Sequence, residues 1–155
     1  MAPIKRHEAL KTLSRDHHHG LLLCFKIRQG IKNGTSFKDI KKYLDFFFEN
    51  HLRAHFREEE EHVFPVLGND HPLVKTALSQ HRSLETLFTT VDDPGRTIPI
   101  IENELEQHIR FEERQLFNII QLEATTEQLK YLMNVLSHET HDPDKDWPDH
   151  FWKQN

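Results

Sequence analysis

Apolar residues recur three and four positions apart along nearly the whole chain, which is the spacing of helices with one buried face. A first helix is predicted over about residues 6–33. It places Leu10, Leu13, His17, Leu21, Cys24, Ile27 and Ile31 on one stripe. Asn33-Gly34-Thr35-Ser36 ends it, with Gly34 as a C-terminal cap and Ser36 as the N-cap of the next helix. That second helix is predicted over about 37–67. It aligns Ile40, Leu44, Phe48, His51, Leu52, His55, Phe56, Glu59, Val63 and Val66, and Pro65 closes its last turns. Beyond Gly68-Asn69-Asp70-His71-Pro72, a third helix over about 72–91 carries Leu73, Ala77, Leu78, His81, Leu84, Leu87 and Phe88. Asp92-Asp93-Pro94-Gly95 reads as a plain turn. The fourth helix, about 98–122, shows Ile98, Ile101, Leu105, His108, Phe111, Glu112, Leu116 and Ile119. A shorter one over about 126–138 shows Leu129, Leu132, Met133 and Leu136. The tail from Thr140 is irregular, and Trp147, Phe151 and Trp152 are placed to fold back onto the rest.

Four long helices joined by short connections pack with neighbours antiparallel. The expected fold is all-α: an up-down-up-down antiparallel four-helix bundle with an additional C-terminal helix and irregular tail. One domain over 1–155 is expected, with its core at about 6–122 and the extension at about 125–155.

Composition narrows the classes. The net charge is −5 with both signs interspersed and no basic block, so no nucleic-acid partner is expected. No apolar run approaches the roughly 20 residues of a membrane span, and the first residues lack a signal-like apolar core, so the expected location is cytoplasmic with no membrane partner. The single cysteine, Cys24, excludes an intramolecular disulfide and a cysteine-based zinc site, and its apolar run marks it as a small core residue. Thirteen histidines are many for this length and ask for an explanation.

Part of it is a repeat. His55-Phe56-Arg57-Glu58-Glu59-Glu60-Glu61-His62-Val63-Phe64 and His108-Ile109-Arg110-Phe111-Glu112-Glu113-Arg114-Gln115-Leu116-Phe117 both read His-x-Arg-x-Glu-Glu-x-x-x-Phe. Residues i and i+4 of a helix share a face, about 40° apart around the axis. Each His therefore projects with its Glu, and in both helices they share the apolar stripe. A buried carboxylate needs a partner, and a metal ion supplies one. His17 and His81 sit where core residues belong in the other two helices. The inward set is His17, His55, Glu59, His81, His108 and Glu112. Four imidazoles and two carboxylates suit a pair of first-row metal ions bridged by the carboxylates, and mixed nitrogen and oxygen donors with open positions suit iron. Glu58, Glu60 and Glu61 read as a solvated face. His18 and His19 rotate off the inward stripe, and His62, His138, His141 and His150 fall outside it.

The chain resembles the hemerythrin, or HHE cation-binding, family. The resemblance rests on Asp16-His17, His55-x-x-x-Glu59-Glu60 with Phe64-Pro65, His81, and His108-x-x-x-Glu112-Glu113 with Leu116-Phe117. It implies a four-helix bundle with two non-heme iron ions per chain, bridged by carboxylates and an oxo or hydroxo group. It also implies binding or sensing of dioxygen or nitric oxide. A di-iron enzyme or repair factor (peroxide reduction, iron donation to iron-sulfur sites) and an iron-status sensing domain are the alternatives. Oxygen-carrying members have a second histidine where this chain has Ala77, and an Asp where it has Glu113. Another residue could then complete the coordination, and His51, one turn before His55, is the candidate. Leu13, Leu21, Leu52, Phe56, Leu84 and Phe111 are the expected lining. The ferritin-like di-iron signature, Glu-x-x-His, has the opposite order and a shorter spacing.

Overall fold

A computed structural model describes residues 5–136, 142–145 and 147–153. Its regular structure among these residues is helical throughout, a bundle of five helical runs. A single 3-10 turn, Glu8–Leu10, leads into α1, Lys11–Lys32. α2 is an unbroken run over residues 37–66, α3 spans Pro72–Thr89, α4 runs over 94–123, and α5 is Thr126–Val135. None of these helices is long and apolar enough to cross a membrane.

The helix boundaries follow local chemistry. Gly34 takes the left-handed conformation (φ 77°) that ends α1, and Ser36 accepts the Asp39 amide as the N-cap of α2. His7 and His71 cap their helices in the same way, each Nδ1 accepting an amide two residues on, from Ala9 and Leu73. Two of the thirteen histidines are thereby explained as caps. Thr125 and Gln128 close a reciprocal capping box at α5. The predicted turn at Asp92-Asp93-Pro94-Gly95 is shorter than expected. The chain turns over residues 90–93, Asp93 completing the turn with φ at 54°, and Pro94 already occupies the first helical position, where its missing N–H is harmless. At the other end of the chain, α5 ends at Val135 with Leu136 as its C-cap, short of the expected end near His138; His138 itself and the start of the tail at Thr140 lie outside the described residues.

α2 and α4 are not uniform. α2 widens into π-type turns at Phe48–Leu52 and Glu59–Val63, and α4 does so at Glu112–Leu116. In each, an amide reaches the carbonyl five residues back: Arg53 to Phe48, Phe64 to Glu59, and Phe117 to Glu112. Such bulges are associated with functional sites.

Two apolar cores form. One gathers Leu23, Ile27, Leu44, Phe48, Leu84, Phe88, Ile101 and Leu105, and the other Leu10, Leu13, Val63, Phe64, Ala77, Leu116 and Phe117. Cys24 is buried in the first, as expected, its thiol donating to the Glu102 carbonyl at 3.4 Å and its pKa pushed up to about 12 by burial. The described residues of the tail fold onto this core. Phe151 seats beside Gly30, Trp147 and Trp152 pack on Tyr43, and the buried Lys26 ammonium meets Asp144 at 2.5 Å and the Trp152 ring at 4.6 Å.

Candidate metal centre

Along α1 through α4, the chain passes from one apolar core to the other, and a polar layer lies at each crossing. It contains His17 from α1, His55 and Glu59 from α2, His81 from α3, and His108 and Glu112 from α4. All six are buried, and Glu59, His81 and Glu112 have no measurable exposure. The structure brings all six together. Their donor atoms form two groups within 4.8 Å: His17, His55, Glu59 and Glu112, and Glu59, His81, His108 and Glu112. Both carboxylates belong to both groups.

Ring packing repeats across the layer. His17 and His55 meet edge-on with centroids 4.8 Å apart, and His81 and His108 do the same at the same distance. All four Nε2 atoms face the carboxylates. The distances are 3.1 Å from His17 to Glu112, 3.1 Å from His55 to Glu59, 3.3 Å from His81 to Glu59, and 2.9 Å from His108 to Glu112. Only the His17 contact has hydrogen-bond geometry. His55 Nε2, His81 Nε2, His108 Nε2, both Glu59 oxygens and Glu112 Oε2 are buried with no hydrogen-bond partner. Orphaned polar atoms in a dry interior are unfavourable by a few kcal/mol each in general, and here they are concentrated at one point. This donor set could hold metal.

Protons partly compensate the charge. Burial opposes protonation of His17, but the hydrogen bonds its ring donates to Glu112 and Glu113 outweigh it and bring its pKa up to about 9. Burial likewise opposes protonation of His81, but the Glu59 and Glu60 anions beside its two nitrogens outweigh it and bring its pKa up to about 9. Burial works against the Glu112 anion, yet His108 and His17 hold its carboxyl well below the usual range.

The Nδ1 side of each ring was not legible in the sequence. His55 Nδ1 donates to Asp16 at 3.1 Å, His81 Nδ1 to Glu60 at 2.9 Å, His108 Nδ1 to Gln80 at 2.6 Å, and His17 Nδ1 to Glu113 at 3.0 Å. The pattern is cyclic: α1 supports α2, α2 supports α3, α3 supports α4, and α4 supports α1. Each acceptor is the immediate sequence neighbour of an inward residue, beside His17, Glu59, His81 and Glu112 respectively. One residue of helix is about 100° of rotation, enough to aim a side chain at the next helix. Glu60, expected on the solvated face, is instead partly buried by this bond, whereas Glu61 is exposed.

His51 belongs to neither group. Its ring lies against Phe46 and Phe47, at 6.0 and 5.5 Å. It falls within the wide turn Phe48–Leu52, so the regular i, i+4 alignment with His55 does not apply. His18 is exposed, and His62 bonds Tyr131 at the surface. Of the expected lining, Phe56 stacks on His81 at 3.9 Å. Phe64 and Phe117, not foreseen in that role, face His81 and His17 at 5.4 and 5.2 Å.

Comparison with curated proteins and with solved structures gave no match. A family model, the Hemerythrin HHE cation binding domain, matches residues 8–120. That span contains all six inward residues and all four of their supports, and the chain belongs to the hemerythrin HHE cation-binding family.

Proposed function

We propose that this domain holds two iron ions and uses them to bind or sense a small diatomic ligand, dioxygen or nitric oxide. His17 and His55 would hold one ion, His81 and His108 the other, with Glu59 and Glu112 shared between them. The observation that carries the reading is the set of orphaned buried donors, arranged as two groups with both carboxylates in common. Imidazole and carboxylate donors suit iron among the common first-row ions. Bound iron would supply a redox-active centre with affinity for such ligands.

The chain's own contribution is orientation and exclusion of water. The four Nδ1 hydrogen bonds fix each ring with Nε2 inward. Phe56, Phe64 and Phe117 wall the layer with rings, and the two apolar cores close it off along the bundle. We also assign the bundle an up-down-up-down order. It is supported by cross-helix pairs that climb one helix while descending the next: Asp16 to His55 and Lys26 to Tyr43, then Glu60 to His81 and Lys41 to Phe88.

The test is anaerobic titration of the metal-free protein with ferrous iron, followed by exposure to dioxygen or nitric oxide. Uptake of two equivalents, then a new absorption band that reverses on removal of the gas, is the expected result. A chain that takes up no ferrous iron would refute the centre. A loaded chain that gives no response to either gas would refute the ligand assignment alone.

A further inference from the structure

The hydrogen bonds behind the histidines do not treat the two halves of the layer alike. Behind His17 and His55 stand two carboxylates, Glu113 and Asp16. Behind His81 stands a carboxylate, Glu60, but behind His108 stands the neutral amide of Gln80. With Nε2 turned inward as a donor to metal, each Nδ1 carries the hydrogen, so Gln80 accepts through its Oε1 at 2.6 Å. An anionic acceptor makes the imidazole a stronger donor to a cation than a neutral one does, and adds a negative charge near the ion. Both carboxylates of the inner layer are common to the two groups and cannot distinguish them. The difference therefore rests on the outer partners: two anions on one side, one anion and one amide on the other.

Further contacts hold one of these partners in place. Glu113 is itself held by Ser14, whose hydroxyl donates to both carboxylate oxygens at 2.9 Å, and by Arg6 at 3.8 Å. Its position behind His17 is fixed from two sides.

Resting on the two-metal reading above, we infer that the two positions are inequivalent, and that Gln80 is the positioning residue that makes them so. The His17–His55 position is the tighter and fills first. The His81–His108 position is the weaker and is the one from which an ion is more readily lost or exchanged. Replacing a partner of this kind commonly changes metal affinity by about 10–100-fold, which sets the expected difference at about tenfold or more.

Half-site chains measure each position alone at constant pH. The double variant His81→Ala/His108→Ala keeps the first position, and His17→Ala/His55→Ala keeps the second. Each is titrated anaerobically with cobalt(II), read by its visible bands and by calorimetry, with helix content checked by circular dichroism. The first chain is expected to bind at least about tenfold more tightly. Adding Gln80→Glu should raise affinity in the second chain and leave the first unchanged. Equal affinities, the opposite order, or an equal effect of Gln80→Glu on both chains would overturn the inference. If a half-site chain does not fold, the full chain decides: Gln80→Glu must strengthen cobalt uptake and Asp16→Asn must weaken it, and any other result overturns the inference. A full chain that binds no cobalt and no ferrous iron removes the two-metal reading itself. Two ions bound without the predicted variant effects remove only the inequivalence.

Discussion

The amide of Phe64 donates to the carbonyl of Glu59, five residues back, and the Phe64 ring lies 5.4 Å from His81. The same relation joins Phe117 to Glu112, with the Phe117 ring 5.2 Å from His17. In a regular helix a residue five positions on points about 140° away. The extra residue in the wide turn returns it by roughly 100°, so the phenyl ring faces the layer that its own glutamate enters. This explains why both copies of the motif end in phenylalanine.

Phe64 has no exposed surface, and its ring has a fixed place against His81. Phe64→Ala is expected to destabilise the metal-free protein by about 3–5 kcal/mol, and Phe64→Leu by less. Urea unfolding followed by helix circular dichroism checks this. An unchanged midpoint in the alanine variant would show that the ring is not part of the packed wall.

Glu59 and Glu112 each belong to both donor groups, so neutralising either one affects both positions. Glu59→Gln and Glu112→Gln are expected to abolish paired metal binding, leaving at most one weakly held ion per chain. Glu61→Gln, at a side chain 59% exposed, is expected to bind like the parent. Metal analysis after gel filtration distinguishes the two outcomes.

Much of this was legible in the sequence because it depends on periodicity. The stripes located the helices, and six polar residues on those stripes met at one level. What the sequence hid depends on departures from periodicity and on neighbouring helices. His51 falls inside a wide turn that no residue type announces. Asp16, Glu60, Gln80 and Glu113 lie one residue off the stripe, where a polar side chain ordinarily reads as solvated. Their role requires knowing which helix stands beside them. Pro94 and Gly95 read as turn residues because a helix-starting proline and a turn proline look alike without the left-handed Asp93 before them.

The raised pKa values of His17 and His81, both about 9, give the metal-free protein a pH dependence. A histidine whose pKa is higher folded than unfolded stabilises the fold fully below its unfolded value, about 6.5. That contribution is lost as pH rises through about 9. The metal-free melting temperature is therefore expected to fall between these limits, and to fall by less in a Glu112→Gln variant, in which His17 loses one of its two anions while His81 keeps Glu59 and Glu60. Metal uptake must displace these protons, so calorimetry at neutral pH in buffers of different ionisation enthalpy should reveal proton release. Metal uptake without proton release would contradict the charge balance described for the layer.

The tail provides a test that its own tryptophans report. The chain's two tryptophans, Trp147 and Trp152, both lie in the tail, so intrinsic fluorescence reads its docking and little else. Docking depends on Gly30, where an added Cβ would stand 2.7 Å from two carbons of the Phe151 ring. Alanine is the better helix former by up to about 1 kcal/mol, yet Gly30→Ala is expected to displace Phe151 and shift tryptophan emission to the red. Docking also depends on Asp144, which accepts from Lys26 and from the Tyr43 hydroxyl at 2.6 Å. Burial raises the Asp144 pKa, but these two donors more than offset it and hold the carboxyl below its ordinary value. The tie is therefore complete above the ordinary carboxylate value of about 4 and is lost as pH falls through the lower folded value. Tryptophan emission is expected to move to the red over that acid range before helix content falls. Asp144→Asn should show the shifted emission already at neutral pH. If Gly30→Ala and Asp144→Asn both keep the parent emission maximum, the tail is not held by these contacts.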